Sequence, residues 1–481
     1  MAARGQLLVA LVLLALAASS SAGSSGGRNR HRAAKAKAKP AARARLGLVR
    51  AAPDASLADR AIDDRHRHAY ISAKLRRPAA AAADVGSSAF AMPLTSGAYT
   101  GTGQYFVRFR VGTPAQPFVL VADTGSDLTW VKCRGAGAGN AAGEGGGERV
   151  FRPADSKTWA PMSCSSDTCT SYVPFSLANC SSAASPCAYD YRYKDGSAAR
   201  GAVGTDSATI ALSGGHGGAV DGSRRAKLQD VVLGCTASYD GQSFQSSDGV
   251  LSLGNSNISF ASRAAARFGG RFSYCLVDHL APRNATSYLT FGPGGPEDAA
   301  SSSAAGAAPA AQTRLLLDRR MSPFYAVAVD GIHVDGVQLD IPSDVWDVDK
   351  NGGAILDSGT SLTILATPAY KAVVAALSAR FAGVPQVSMD PFEYCYNWTA
   401  GGGGGEPEIP KLEVEFAGSA RLQPPAKSYV IDAAPGVKCI GVQEGAWPGV
   451  SVIGNILQQE HLWEFDLRDR WLRFKHTRCI Q

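Results

Sequence analysis

The chain has 481 residues, of which 45% are hydrophobic, 19% charged and 53 are glycine. That length suits two lobes with large cores and excludes a small disulfide-held scaffold, while the glycine content favours a turn-rich β fold over a helical one. The formal net charge of +7 is unevenly spread: residues 1–89 carry 16 Lys/Arg against five Asp, and the remainder carries 32 against 36, so the basic character belongs to the N-terminal segment.

In chain order, Arg4, the apolar run from Leu7 to Ala18 and the small residues Ser19 to Ala22 predict a secretory signal peptide over 1–22, too short for a membrane span of about 20 residues. Residues 23–89 are rich in Ala, Arg, Lys and Ser, include Lys35, Lys37 and Lys39, and lack cysteine. Such a segment buries little apolar area alone and predicts a basic propeptide. Within it, Leu57, Ile62, Tyr70, Ile71 and Leu75 are spaced as one helix face over 56–75, suited to packing on a partner surface.

From Phe90 the texture changes to β-branched and aromatic runs at 104–111, 118–121, 230–233 and 287–291, punctuated by Gly, Pro and Asp. The expected organisation is an N-terminal lobe over 90–292, a Pro/Gly/Ala/Ser linker over 293–312 and a C-terminal lobe over 313–481. The second half repeats the first in outline. Phe324 to Ile332 matches the strand at 104–111, and Gly353 to Thr360 matches Val119 to Ser126, which predicts duplicated lobes facing each other. A helix is expected from Pro368 to Phe381 with Val373, Val374 and Leu377 inward, and surface loops at the glycine-rich stretches 135–147 and 400–405.

Ten cysteines, Cys133, Cys164, Cys169, Cys180, Cys187, Cys235, Cys275, Cys395, Cys439 and Cys479, all lie beyond the leader and predict five disulfides formed in an oxidising compartment. Their number admits hundreds of pairings, so sequence alone does not choose one. Sequons at Asn179, Asn257, Asn284 and Asn397 suit the same compartment. Without a Cys-x-x-Cys pair, no metal site is expected.

Two short motifs carry the chemistry. Each is an apolar strand running into an aspartate: Asp123-Thr124-Gly125-Ser126 and Asp357-Ser358-Gly359-Thr360. The strand delivers the carboxylate to its end, glycine allows the sharp turn, and the hydroxyls are placed to hydrogen-bond the carboxylate oxygens. One such turn is commonplace; two in duplicated contexts point to a catalytic pair.

These motifs, together with Tyr189 to Ser197 followed by Gly201, Asp248-Gly-Val-Leu251, Phe272 to Leu276, Val452 to Gln459 and Phe465-Asp-Leu467, resemble the pepsin-like aspartic proteases, and within them the plant nepenthesin-like and nucellin-like branch, over about residues 100–481. The resemblance implies an all-β bilobal fold with the cleft between duplicated lobes. It implies an endopeptidase with Asp123 and Asp357 as the catalytic pair, Ser126 and Thr360 on their outer oxygens, and Tyr193 as the flap tyrosine meeting the indole of Trp130. Polypeptide substrates, an intramolecular inhibitory propeptide, a monomer, no cofactor, no nucleic acid and a destination in the apoplast or vacuole follow from the same likeness. It also implies disulfides Cys164–Cys187, Cys169–Cys180, Cys275–Cys479 and Cys395–Cys439, which leaves Cys133 for Cys235. Two departures stand outside the dyad: Lys194 where the flap usually has glycine, and Val250-Leu251-Ser252 where the first lobe usually has two apolar residues and then glycine. Two other functions are compatible with parts of the sequence. A catalytically inactive binding protein of this fold would be marked by loss of an aspartate or its hydroxyls, and a nucleoid-type DNA-binding protease would use the basic N-terminal segment on phosphate.

Overall fold

Both halves are wired in the same register. A computed structural model describes residues 64, 68, 90–96, 103–134, 149–173, 182, 184–192, 198–211, 225–240, 244, 246–282, 285, 287–292, 310–399 and 407–479. The expected leader, most of the propeptide, the glycine-rich loops, residues 293–309 of the linker, Tyr193, Lys194, Asn179, Cys180 and Asn284 lie outside these.

In the first half the strand Tyr105–Val111 forms a hairpin with Gln116–Asp123. The latter runs parallel to Gly249–Ser252, with Asp123 opposite Ser252. Thr129–Lys132 then pairs parallel to the long strand Arg225–Asp240, Thr129 meeting Leu233, and antiparallel to Gly249–Ser252, Trp130 meeting Val250. In the second half Ala354–Asp357 runs parallel to Ser451–Gly454, with Asp357 opposite Gly454. Thr363–Ala366 pairs parallel to Val442–Gly445, Thr363 meeting Val442, and antiparallel to Ser451–Gly454, Ile364 meeting Val452. Counted from each aspartate the offsets agree, so the duplication read in the sequence is a duplication of pairing. The aliphatic residues Val119, Leu120, Val121, Ile355 and Leu356 are buried, which holds each aspartate strand in its lobe at roughly 1.5–3 kcal/mol per side chain.

Six strands from both halves form a shared sheet. Phe90–Ser96, Ser287–Phe291, Arg271–Cys275, His461–Asp466, Trp471–His476 and Ala311–Leu316 pair in that order, all antiparallel. Alternation separates its faces. On one, Phe272 stacks on Phe465 at 4.7 Å and Trp463 on Phe474 at 4.8 Å. On the other, Arg473 Nη1 donates to Glu464 Oε1 at 2.8 Å and Asp466 Oδ2 at 3.2 Å, and Arg271 Nε lies 3.0 Å from Asp466. Buried carboxylates are tolerable there because each meets a guanidinium.

The helix Thr367–Arg380 buries Ala369, Tyr370, Val373, Val374 and Leu377, the three predicted inward residues among them. At Asp64 and His68, the two described positions of the predicted 56–75 helix, the backbone is helical.

Disulfides Cys133–Cys235, Cys275–Cys479 and Cys395–Cys439 are formed. The fourth corrects the expected pairing: Cys169 is joined to Cys187, so neither Cys164–Cys187 nor Cys169–Cys180 exists. A bridge between Ser163 and Pro186 sets Cys164 opposite Ser185, where its N–H bonds Ser185 O at 2.9 Å. The short helix Asp167–Tyr172, capped by Ser166, turns Cys169 inward, leaving its Cα 5.9 Å from that of Cys187. Cys164 is itself disulfide-bonded, to a partner outside the described residues. Of the sequons, Asn257 is exposed on a turn and Asn397 half-buried at a strand end.

One buried histidine makes a pH prediction. His461 Nδ1 donates to Gln459 O at 2.9 Å, and its ring meets that of His476 at 5.3 Å. Burial first, opposed by the Gln459 carbonyl and reinforced by His476, pushes its pKa below 6.5. The unfolded chain therefore takes up a proton below about pH 6.5 that the folded chain resists, and this part of the stability is present above that pH and lost below it. His461→Asn keeps a donor near the Nδ1 position and removes the titration. Its Tm is expected to fall less than wild type between about pH 7.5 and about pH 4.5; parallel slopes in a thermal scan would contradict this.

Candidate active site

In each half a parallel strand pair ends at an aspartate, Asp123 opposite Ser252 and Asp357 opposite Gly454. Asp123 and Asp357 are buried, at 2% and 0% exposed, as are Thr124, Ser126, Ser358 and Thr360. At each aspartate the turn bends back on its own carboxylate. Gly125 N–H donates to Asp123 Oδ1 at 2.9 Å, and Gly359 N–H donates to Asp357 Oδ1 at 2.9 Å. Ser126 Oγ donates to Asp123 Oδ2, and Thr360 Oγ1 donates to Asp357 Oδ2 at 2.7 Å. Each carboxylate thus meets one amide and one hydroxyl, both of which favour its ionised form.

The two loops also hold each other. Thr124 N–H donates to Ser358 Oγ at 3.0 Å, and Ser358 N–H donates to Thr124 Oγ1 at 2.9 Å. The hydroxyls then donate across the same boundary, Ser358 Oγ to Ala122 O at 2.9 Å and Thr124 Oγ1 to Leu356 O at 3.3 Å. Four reciprocal bonds between residues more than 230 apart in sequence fix the two aspartate strands to one another.

The surrounding backbone closes tightly on both loops. Gly254 N–H donates to Ser126 O at 3.0 Å, and Asn455 N–H donates to Thr360 O at 2.7 Å. Gly454 is required by this closeness, since a Cβ there would lie 2.5 Å from Leu362 O and 2.6 Å from Ser361 O. Its counterpart by register is Ser252, which is no peripheral departure: it stands opposite Asp123. Its side chain is accommodated because it points away into a polar pocket. There its hydroxyl lies 2.8 Å from Thr129 Oγ1 and accepts the first helical amide of Phe260 at 3.0 Å. No local pattern announces that pairing.

Asn455 lies within the Val452–Gln459 motif. Its Nδ2 donates to Ser358 O at 3.0 Å and to Gly103 O at 2.7 Å, tying the second aspartate loop to the entry of the first lobe. Tyr274, buried beneath, has its phenol pushed well up by burial and next by the charge of Asp357. It therefore stays a donor, to Gln458 Oε1.

The flap residues are only partly placed. Ala188–Arg192 and Ala198–Ala211 pair antiparallel, Tyr189 opposite Gly201, as a hairpin whose tip with Tyr193 lies outside the described residues. Trp130 is fully buried against Phe244, ring centroids 4.9 Å apart, and its Nε1 has no hydrogen-bond partner among the described residues. Tyr191 OH donates to Asp127 Oδ1, joining the strand Ala188–Arg192 to the first aspartate loop.

Comparison with known proteins places this arrangement. Profiles described as Xylanase inhibitor N-terminal and Xylanase inhibitor C-terminal match residues 105–293 and 324–476. "Aspartyl protease family protein 2" of Arabidopsis thaliana is 32% identical over 397 residues, covering 81% of this chain and 74% of that protein. "Aspartic proteinase nepenthesin-2" of Nepenthes gracilis is 29% identical over 387 residues, covering 79% of each. Among solved structures, basic 7S globulin from soybean superposes with a TM-score of 0.58 at 19% identity, over 81% of this chain and 95% of its own. The crystal structure of edgp gives 0.61 at 20%, over 82% and 96%. At such identities the structural likeness speaks for the fold.

Proposed function

Because the chain belongs to the pepsin-like aspartic protease family of plants, we propose that it is a secreted endopeptidase hydrolysing peptide bonds at acid pH, with Asp123 and Asp357 as its catalytic pair. The observation that carries this reading is the mutual clasp of the two aspartate loops, with an amide and a hydroxyl on each carboxylate. Carboxylates held this way at one site do not both ionise readily and share a proton. The ionised member takes a proton from a water molecule, whose oxygen attacks the scissile carbonyl carbon. The protonated member donates to the carbonyl oxygen, giving a neutral tetrahedral diol; the now-protonated member then gives its proton to the nitrogen while the other takes one from a diol hydroxyl, so that the C–N bond breaks, the carboxylic acid and the amine leave, and the pair again holds one proton. The titration belongs to the pair, so neither aspartate is named acid or base.

In this reading residues 1–22 direct secretion, 23–89 form an inhibitory propeptide, and Tyr193 closes over substrate with Trp130 behind it. The enzyme is a monomer without cofactor, resident in the apoplast or vacuole. The test is hydrolysis of a denatured protein by the secreted, acidified chain. Activity at about pH 4 that pepstatin blocks is expected; hydrolysis insensitive to pepstatin, or none at any acid pH, would overturn the assignment.

A second reading has a specific observation in its favour: the matching profiles bear a xylanase inhibitor's description. A chain of that kind would lower xylanase activity stoichiometrically and leave proteins intact. Both aspartates and their hydroxyls are present here, which favours the enzyme.

A further inference from the structure

Two residues of the N-terminal segment are seated on the second lobe. Asp64 and His68 each have helical backbone, and both are buried, at 3% and 5% exposed. The Asp64 carboxylate accepts two successive amides, Ser361 N–H at 2.8 Å on Oδ1 and Leu362 N–H at 2.6 Å on Oδ2. These amides directly follow Thr360, whose hydroxyl holds Asp357. Four residues on, His68 Nε2 lies 2.7 Å from Val450 O; a carbonyl only accepts, so this nitrogen carries the hydrogen. The ring rests on backbone: a Cβ at Gly445 would come within 2.7 Å of His68 Cε1. Gly445 ends the strand paired with Thr363–Ala366, and Val450 precedes the strand that delivers Gly454 beside Asp357. Both contacts therefore fall at the ends of strands that build the second aspartate loop.

We propose that the Ser361 and Leu362 amides form a carboxylate-binding site on this loop, and that Asp64 fills it to dock the N-terminal segment beside Asp357, with His68 as the second anchor. This rests on the reading of residues 23–89 as a propeptide and changes how that segment is held. The basic composition suggests a grip by lysine and arginine on the acidic body. The contact described here has the opposite sense, an acidic side chain received by backbone N–H groups. A carboxylate bound by two amides makes charge-assisted bonds, stronger than neutral ones, and a buried pair is screened by salt far less than exposed ions. Burial also lowers the His68 pKa, the Val450 carbonyl opposing, so the docked ring is neutral.

The test uses the full-length chain at neutral pH with two readouts: hydrogen exchange of the peptide spanning 358–364, and the rate of tryptic cleavage after Arg65 and Arg67. Asp64→Ala is expected to raise both by at least about tenfold, with exchange in His461–Asp466 unchanged as the control for intact folding. Asp64→Asn keeps one acceptor oxygen and is expected to give a smaller rise in both. Added salt at about 0.5 M is expected to leave the wild-type rates unchanged, whereas a grip by surface lysines would loosen. Wild-type rates in Asp64→Ala overturn the proposal; if that variant does not fold, wild-type rates in Asp64→Asn do so. Neither readout needs peptidase activity, so an inactive chain with these changes would refute the enzymatic reading and leave the dock standing.

Discussion

Asp123→Asn or Asp357→Asn is expected to lower peptide hydrolysis by at least about a thousandfold, the scale of a lost general acid or base, while stability stays within about 1 kcal/mol of wild type. An amide cannot take up or share the proton on which the pair depends. The surrounding bonds nevertheless survive the change. Asn Oδ1 still accepts the Gly125 or Gly359 N–H, and the Ser126 or Thr360 hydroxyl can rotate from donating to accepting. Activity on a denatured protein and a thermal scan of the same preparation check both halves. Turnover within tenfold of wild type in either variant would remove that aspartate from the mechanism, and equal loss of activity and fold would make its role structural.

The second large effect belongs to the clasp. Ser358→Ala removes the acceptor of the Thr124 N–H and the donor to Ala122 O, and Thr124→Ala does the converse for Ser358 N–H and Leu356 O. A buried amide left without a partner costs about 1–3 kcal/mol. A misplacement near 1 Å between aspartates costs about a hundredfold in rate. Each variant should therefore lose about 2–4 kcal/mol and one to two orders of magnitude in kcat. Because both residues serve one interlocked set of bonds, the double variant should lose less than the sum of the singles. Ser358→Thr retains the hydroxyl and should recover most of the rate. Additive losses in a double-mutant cycle would show that the loops are held independently.

The clasp also explains why so much of the site was legible. The residues that make it are those of the two motifs themselves, and each hydroxyl reaches a carboxylate three residues back or the opposite loop. The strands behind them were legible for a similar reason: Val119 to Ala122 and Ala354 to Leu356 are continuous apolar runs, as expected for strands buried on both faces. The places of Ser252 and Asn455 are not legible locally. A serine opposite Asp123 looked like a departure away from the dyad because the parallel pairing that sets it there joins residues 129 apart, and no local spacing encodes that register. Asn455 lay inside a recognised motif, but its two acceptors, Gly103 O and Ser358 O, come from different lobes.

The sequence by itself determined the all-β class, the twofold repeat of an apolar strand ending in Asp-Thr/Ser-Gly, the identity of both aspartates and their hydroxyls, and the helix Thr367–Arg380. All of these follow from side-chain type and short-range period, which local sterics and burial translate directly into structure. Tertiary structure alone decided that Cys169 joins Cys187, that Ser252 faces Asp123, that Asn455 spans the two lobes, and that Asp64 of the N-terminal segment meets the second aspartate loop. The physical reason is common to all four. Each depends on which distant backbone groups come to lie within about 3 Å of a side chain, and that is set by strand register and loop closure after the chain has folded, not by the residues beside it.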